Sequence, residues 1–115
     1  VYGLAAYREL QTYIEQIKKD EEFLDMRVFT LLCEHKTVMA KRIRYLQKEN
    51  AIQCSGEILV KFDEIVERAT CIKNLMLKYS LIKQPRDLAT VQTHLLAMRE
   101  DEERVLRTVF HKTGD

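Results

Sequence analysis

Between Gly3 and Gly56 the chain contains neither glycine nor proline. These are the strongest local breakers of regular structure. Serine and asparagine, the next best turn formers, are also missing from Leu4 to Glu49. A stretch this long with so few ways to turn is helical or nothing. The scarcity runs through the whole chain: 115 residues hold 3 glycines and 1 proline, where average usage gives about 14 of the two together. A β-sandwich or barrel needs a turn signal about every ten residues, so that class is excluded. Apolar residues make up 46% and charged residues 32%, which excludes a disordered chain. The longest run without Asp, Glu, Lys or Arg is Leu88–Met98, 11 residues, short of the ~20 that a membrane span requires.

Two helices are marked by register. Ile58, Phe62, Ile65, Ala69, Ile72, Met76 and Tyr79 follow unbroken 4-3 spacing, the seam of a helix in a bundle. Ser55 is the candidate N-cap. Pro85 enforces a break near Lys83–Arg86. Asp87 then caps a helix whose seam is Leu88, Val91, Leu95, Met98, Glu102, Val105 and Val109, with cations and Gly114 at its end.

The first half carries two conflicting signals. Lys18-Lys19 followed by Asp20-Glu21-Glu22 reads as a helix end meeting a helix start, because cations favour C-termini and anions N-termini. Yet Leu10, Ile14, Ile17, Glu21, Leu24, Val28, Leu31, His35, Val38, Arg42 and Tyr45 run as one 4-3 series across Asp20. The register favours a single helix over about Leu4–Glu49. The expected fold is therefore all-α, an antiparallel three-helix bundle with a long N-terminal helix. The alternative is a four-helix bundle, if the first helix breaks near Asp20. Either way the chain is read as one domain over 1–115. It opens on Val1, which suggests a fragment of a longer protein.

In the three-helix reading the first ~20 residues overhang the bundle. Leu4, Tyr7, Leu10, Tyr13, Ile14 and Ile17 would then form an apolar stripe covered by another chain, with tyrosines suited to an interface. The parallel first and last helices would set Glu102 near Arg42 as a partly buried ion pair. Lys41, Arg44 and Lys48 share one helix face, extended by Lys36, which is the one candidate nucleic-acid face.

Chemistry is thin. His35, His94 and His111 are the only histidines, and Cys33 and His35 point about 200° apart on a helix. No Glu-x-x-His or Cys-x-x-Cys motif occurs. No glycine-rich elbow or phosphate loop is available. No metal, cofactor or catalytic activity is expected. Lys+Arg 19 against Asp+Glu 18 leaves a net charge of +1, low for a dedicated nucleic-acid binder. Three widely spaced cysteines, an odd number, point to a reducing compartment, cytoplasm or nucleus. The expected function is a non-catalytic interaction or oligomerisation module of a scaffold or adaptor. Its partner would be another helical protein or a second copy, and the alternative is a nucleic-acid module using Lys41, Arg44 and Lys48.

Overall fold

The computed structural model describes residues 2–20, 24–50 and 56–114, with side chains over 5–20, 24–50 and 56–108. Among the described residues there are four helices and no strand. They are α1 (Tyr2–Lys19), α2 (Met26–Lys48), α3 (Gly56–Ile82) and α4 (Pro85–Gly114). The single helix over Leu4–Glu49 is not formed, and the four-helix arrangement stands in its place.

The break between α1 and α2 is made without glycine or proline. Lys18 and Lys19 occupy the last turn of α1, where cations meet the negative end of the helix dipole. The Asp20 N–H still donates to the Gln16 carbonyl at 2.9 Å. Asp25 is extended (φ −127°, ψ 110°) and caps α2, its Oδ1 accepting from the Arg27 N–H at 3.0 Å. Tyr13 secures the return: its Oη accepts the Asp25 N–H at 2.6 Å. The Tyr13 ring also stacks on Phe29 with centroids 5.9 Å apart.

The turn shifts the hydrophobic phase by one residue. In α1 the buried positions are Tyr7, Leu10, Ile14 and Ile17. Continuing their spacing leads to Val28, Leu31, His35, Val38, Arg42 and Tyr45. In α2 the buried positions are instead Phe29, Leu32, Lys36, Ala40 and Ile43. One residue is 100° of helix rotation, so the series that looked continuous is displaced from the core. Leu31, Val38 and Tyr45 are exposed.

In α3 and α4 the expected seams are the observed ones. Ile58, Phe62, Ile65, Ala69, Ile72, Met76 and Tyr79 are all buried, as are Leu88, Val91, Leu95, Met98, Glu102 and Val105. The side chain of Val109, and Ser55 as a cap, lie outside the described residues. α4 begins two residues before the expected cap, with Pro85 at its first position. Asp87 therefore sits in the first turn, buried, with the Lys78 ammonium at 3.6 Å. Lys83 closes α3 in the left-handed region (φ 62°), its N–H donating to the Tyr79 carbonyl.

The helices pack in the order α1–α4–α3–α2, and each neighbour pair is antiparallel. Contacts run from Tyr7–Glu102 to Lys18–Gln92 between α1 and α4. They run from Arg68–His94 to Lys78–Asp87 between α3 and α4, and from Cys33–Thr70 to Arg44–Asp63 between α2 and α3. α1 and α2, although consecutive, bring no described Cα atoms within 8 Å of each other. The row curls into a bundle of 47 × 20 × 19 Å with one open seam, between its two ends. Among the described residues no helix is long and apolar enough to cross a membrane.

Folding back at Asp20 changes what the N-terminal stripe does. Tyr7, Leu10, Ile14 and Ile17 are 1%, 9%, 0% and 0% exposed within the chain's own bundle. They are core, not a surface awaiting another chain. Burying four such side chains contributes on the order of 6–12 kcal/mol gross. Leu10→Glu/Ile14→Glu is therefore expected to abolish cooperative thermal unfolding by circular dichroism, since two carboxylates would enter an apolar interior. A folded, monomeric variant would contradict this packing.

Candidate functional site

Two features stand out above the core: a buried polar cluster and an open apolar face beside it.

The cluster joins three helices. Glu102 occupies a seam position of α4 and is 0% exposed. Its Oε1 accepts from the Lys36 ammonium of α2 at 2.8 Å and from the Tyr7 hydroxyl of α1 at 3.1 Å. The ammonium also lies 4.8 Å from the centroid of the Tyr7 ring, a cation–π contact. Glu102 Oε2 has no hydrogen-bond partner among the described residues. Burial first, then the charge of Glu102 and the hydrogen bond to it, push the Tyr7 phenol far above its ordinary value. It stays a donor throughout the physiological range. The expected partner of Glu102 was Arg42, and that is corrected. Arg42 is exposed, and the one-residue phase shift of α2 brings Lys36 inward instead.

Over this cluster lies the open α1/α2 seam, a groove of about 650 Å³. Ala5, Ala6, Glu9, Leu10 and Tyr13 form one wall and Val28, Leu31, Leu32 and His35 the other. Tyr7 and Lys36 lie at its floor. Burial, and then the charge of Lys36 beside it, lower the His35 pKa below the ordinary histidine value.

From Leu31 the apolar surface continues along α2. Leu31 (63% exposed), Val38 (44%) and Tyr45 (63%) are spaced by seven and lie on one line. Other exposed apolar side chains do not extend a comparable line. Leu77, Leu81 and Ile82 cluster at the end of α3 without heptad spacing, while Val60 and Leu96 stand apart.

The residues singled out from sequence fall as follows. Tyr7, Leu10, Ile14 and Ile17 are core, Tyr13 is half-buried at the groove, and the Leu4 side chain lies outside the described residues. Lys41 and Lys48 are exposed. Arg44 is exposed but ion-paired with Asp63 of α3. Lys36, the extension of that basic face, is buried against Glu102. The basic face is thereby reduced to two lysines and one neutralised arginine, little to hold a phosphate backbone.

A second polar contact escaped sequence reasoning because its members lie on different helices. Arg68 can only donate, so His94 Nδ1 accepts from it at 3.0 Å. The ring proton is then on Nε2, 3.7 Å from the sulfur of exposed Cys71. Burial and Arg68 lower the His94 pKa.

Compared with known proteins, the chain matches no family model, no curated protein and no solved structure at a significant level.

The cluster makes two predictions. Lys36→Met leaves a bare carboxylate in the core and is expected to lower stability by about 3–5 kcal/mol in urea denaturation. The triple change Lys36→Met/Glu102→Leu/Tyr7→Phe removes every polar member together and should recover most of that loss. The second concerns alkaline pH. An unfolded tyrosine releases its proton near pH ~10, whereas buried Tyr7 retains it, so above that pH the native state binds more protons than the unfolded state. Stability then falls with rising pH by up to about 1.4 kcal/mol per unit from this group. Tyr7→Phe should flatten the stability–pH curve above pH ~10.

Proposed function

We propose that the protein is a non-catalytic helix-docking module, and that its docking surface is the outer face of α2 with the adjoining α1/α2 groove. The observation that carries this reading is the exposed line of Leu31, Val38 and Tyr45 at seven-residue spacing. Water-facing apolar residues occur singly on most proteins. A heptad-spaced line is the pattern of a helix that has a second helical neighbour. Tyr45 adds a large aromatic side chain of the kind enriched at interface centres. The groove extends the apolar area laterally from Leu31, giving a second helix a seat rather than a ridge. The proposal keeps the interaction module expected from sequence and moves its surface from the N-terminal stripe to α2.

Site-specific photocrosslinking tests it. A benzophenone side chain at position 38, in cells that express the protein, is expected to give a discrete higher-mass adduct on irradiation. The same probe at exposed Asn74 on α3 is expected to give none. Equal labelling at the two positions, or no adduct at position 38, would contradict the proposal.

A further inference from the structure

We infer that the turn joining α3 to α4 is a membrane-surface anchor, which sets aliphatic side chains into the headgroup boundary of a bilayer rich in anionic phospholipid.

Three observations meet at this corner. The first is exposure. Leu77, Leu81 and Ile82 are 52%, 78% and 56% exposed, and Leu81 is the most exposed large apolar side chain among the described residues. They close α3 at one end of a bundle 47 Å long. The helix pair projects there. Lys18, in the last turn of α1, is level with Gln92 of α4, so α4 continues about 10 Å past that level to Pro85. Cys33 of α2 is level with Thr70 of α3, which sets Met26, the start of α2, level with Leu77. From there α3 continues about 7 Å to Ile82. Leu81 and Ile82 are thus carried past the ends of the other two helices.

The second is charge. From Arg68 to Arg99 the chain carries Arg68, Lys73, Lys78, Lys83, Arg86 and Arg99 against one acid, Asp87. That is +5 on a chain of net charge +1, so the remaining residues sum to −4. The acid is withdrawn from the surface: Asp87 is buried, with the Lys78 ammonium at 3.6 Å. Lys83 and Arg86, on either side of Pro85, are exposed. The α1–α2 connection at the same end sums to −1 over residues 18–27, against +3 over residues 73–87. Positive charge is therefore gathered where the aliphatic side chains are.

The third is the backbone. Water is scarce at the boundary with the acyl chains, so a turn entering it must bond its own polar groups. Lys83, in the left-handed region, donates its N–H to the Tyr79 carbonyl at 2.8 Å, and the Asp87 N–H donates to the Gln84 carbonyl at 3.0 Å. The Ser80 hydroxyl donates to the Leu77 carbonyl at 2.6 Å. Pro85 has no N–H to leave bare.

Together these features choose the occupant. A protein partner requires a broad patch that excludes water, whereas three aliphatic side chains around a chain reversal form a wedge. A soluble polyanion would meet the cations and leave the wedge in water. A bilayer takes both: the aliphatic tips enter the apolar boundary while Lys83 and Arg86 keep their charged heads among phosphates. The line of Leu31, Val38 and Tyr45 runs along α2 and takes no part in this contact, so anchor and docking surface are separate.

Vesicle co-sedimentation of the 115-residue chain tests this. The chain is expected to pellet with vesicles containing about one-third phosphatidylserine and to stay in the supernatant with pure phosphatidylcholine. Leu81→Ser/Ile82→Ser should lower the partition coefficient about tenfold with unchanged circular dichroism. Val60→Ser, exposed nearer the other end of α3, should leave it unchanged. Lys83→Ala and Arg86→Ala should each weaken partitioning about fivefold. The chain has no tryptophan, so Leu81→Trp supplies a sole reporter. Its emission should shift to the blue on phosphatidylserine vesicles and be quenched by brominated acyl chains. No binding to phosphatidylserine vesicles, binding that survives Leu81→Ser/Ile82→Ser, or Leu81→Trp emission that acyl bromines fail to quench would overturn the inference. Retention by soluble polyglutamate without retention by vesicles would also overturn it, and would assign the corner to an acidic polypeptide.

Discussion

The structure turns on one carboxylate. Glu102 lies at a seam position of α4, so the periodicity that makes α4 a bundle helix carries a charge into the core. A buried carboxylate without a counter-charge is strongly disfavoured. Only a side chain long enough to cross the open seam supplies one here, and that is Lys36 of α2. For Lys36 to reach, α2 must present the face containing Phe29, Leu32 and Ile43 to the interior. That rotation sends Leu31, Val38 and Tyr45 outward. The inner ion pair and the outer apolar line are thus two consequences of one setting of α2. A buried pair of this kind adds little stability compared with apolar residues of the same volume. Its consequence is selection, because any other rotation of α2 strands Glu102.

Much of this was legible in the sequence, and where it was not the reason is specific. The seams of α3 and α4 were readable residue by residue, since each is a single phase with no competitor. Glu102 showed itself as the one polar member of its seam. The junction near Asp20 was visible only as charge: two lysines ending one helix, acids following. Periodicity argued against it because α2 carries two apolar lines 100° apart. The line in phase with α1 runs through Val28, Leu31, Val38 and Tyr45. The line that is buried contains Lys36, and lysine is among the residues least often buried, so it disguised the inner face as an outer one. Arg42 was paired with Glu102 for the same reason. The groove was not legible, because it exists only where the α1 and α2 backbones stand more than 8 Å apart.

The two ends of the helix row are not equivalent, and that asymmetry bears most directly on function. α3 has α2 and α4 as neighbours, and α4 has α1 and α3. α1 and α2 each lack one. α1 meets this position in the ordinary way: its exposed side chains are alanines and polar residues, including Arg8, Glu9, Thr12, Glu15 and Gln16. It is an edge helix with an edge helix's surface. α2 is an edge helix with the surface of an interior one, apolar on the face toward α3 and apolar again on the face toward water. A helix with two apolar faces is built for two neighbours. The chain supplies one of them, on the side of Phe29 and Ile43, and the line of Leu31, Val38 and Tyr45 faces the place of the other.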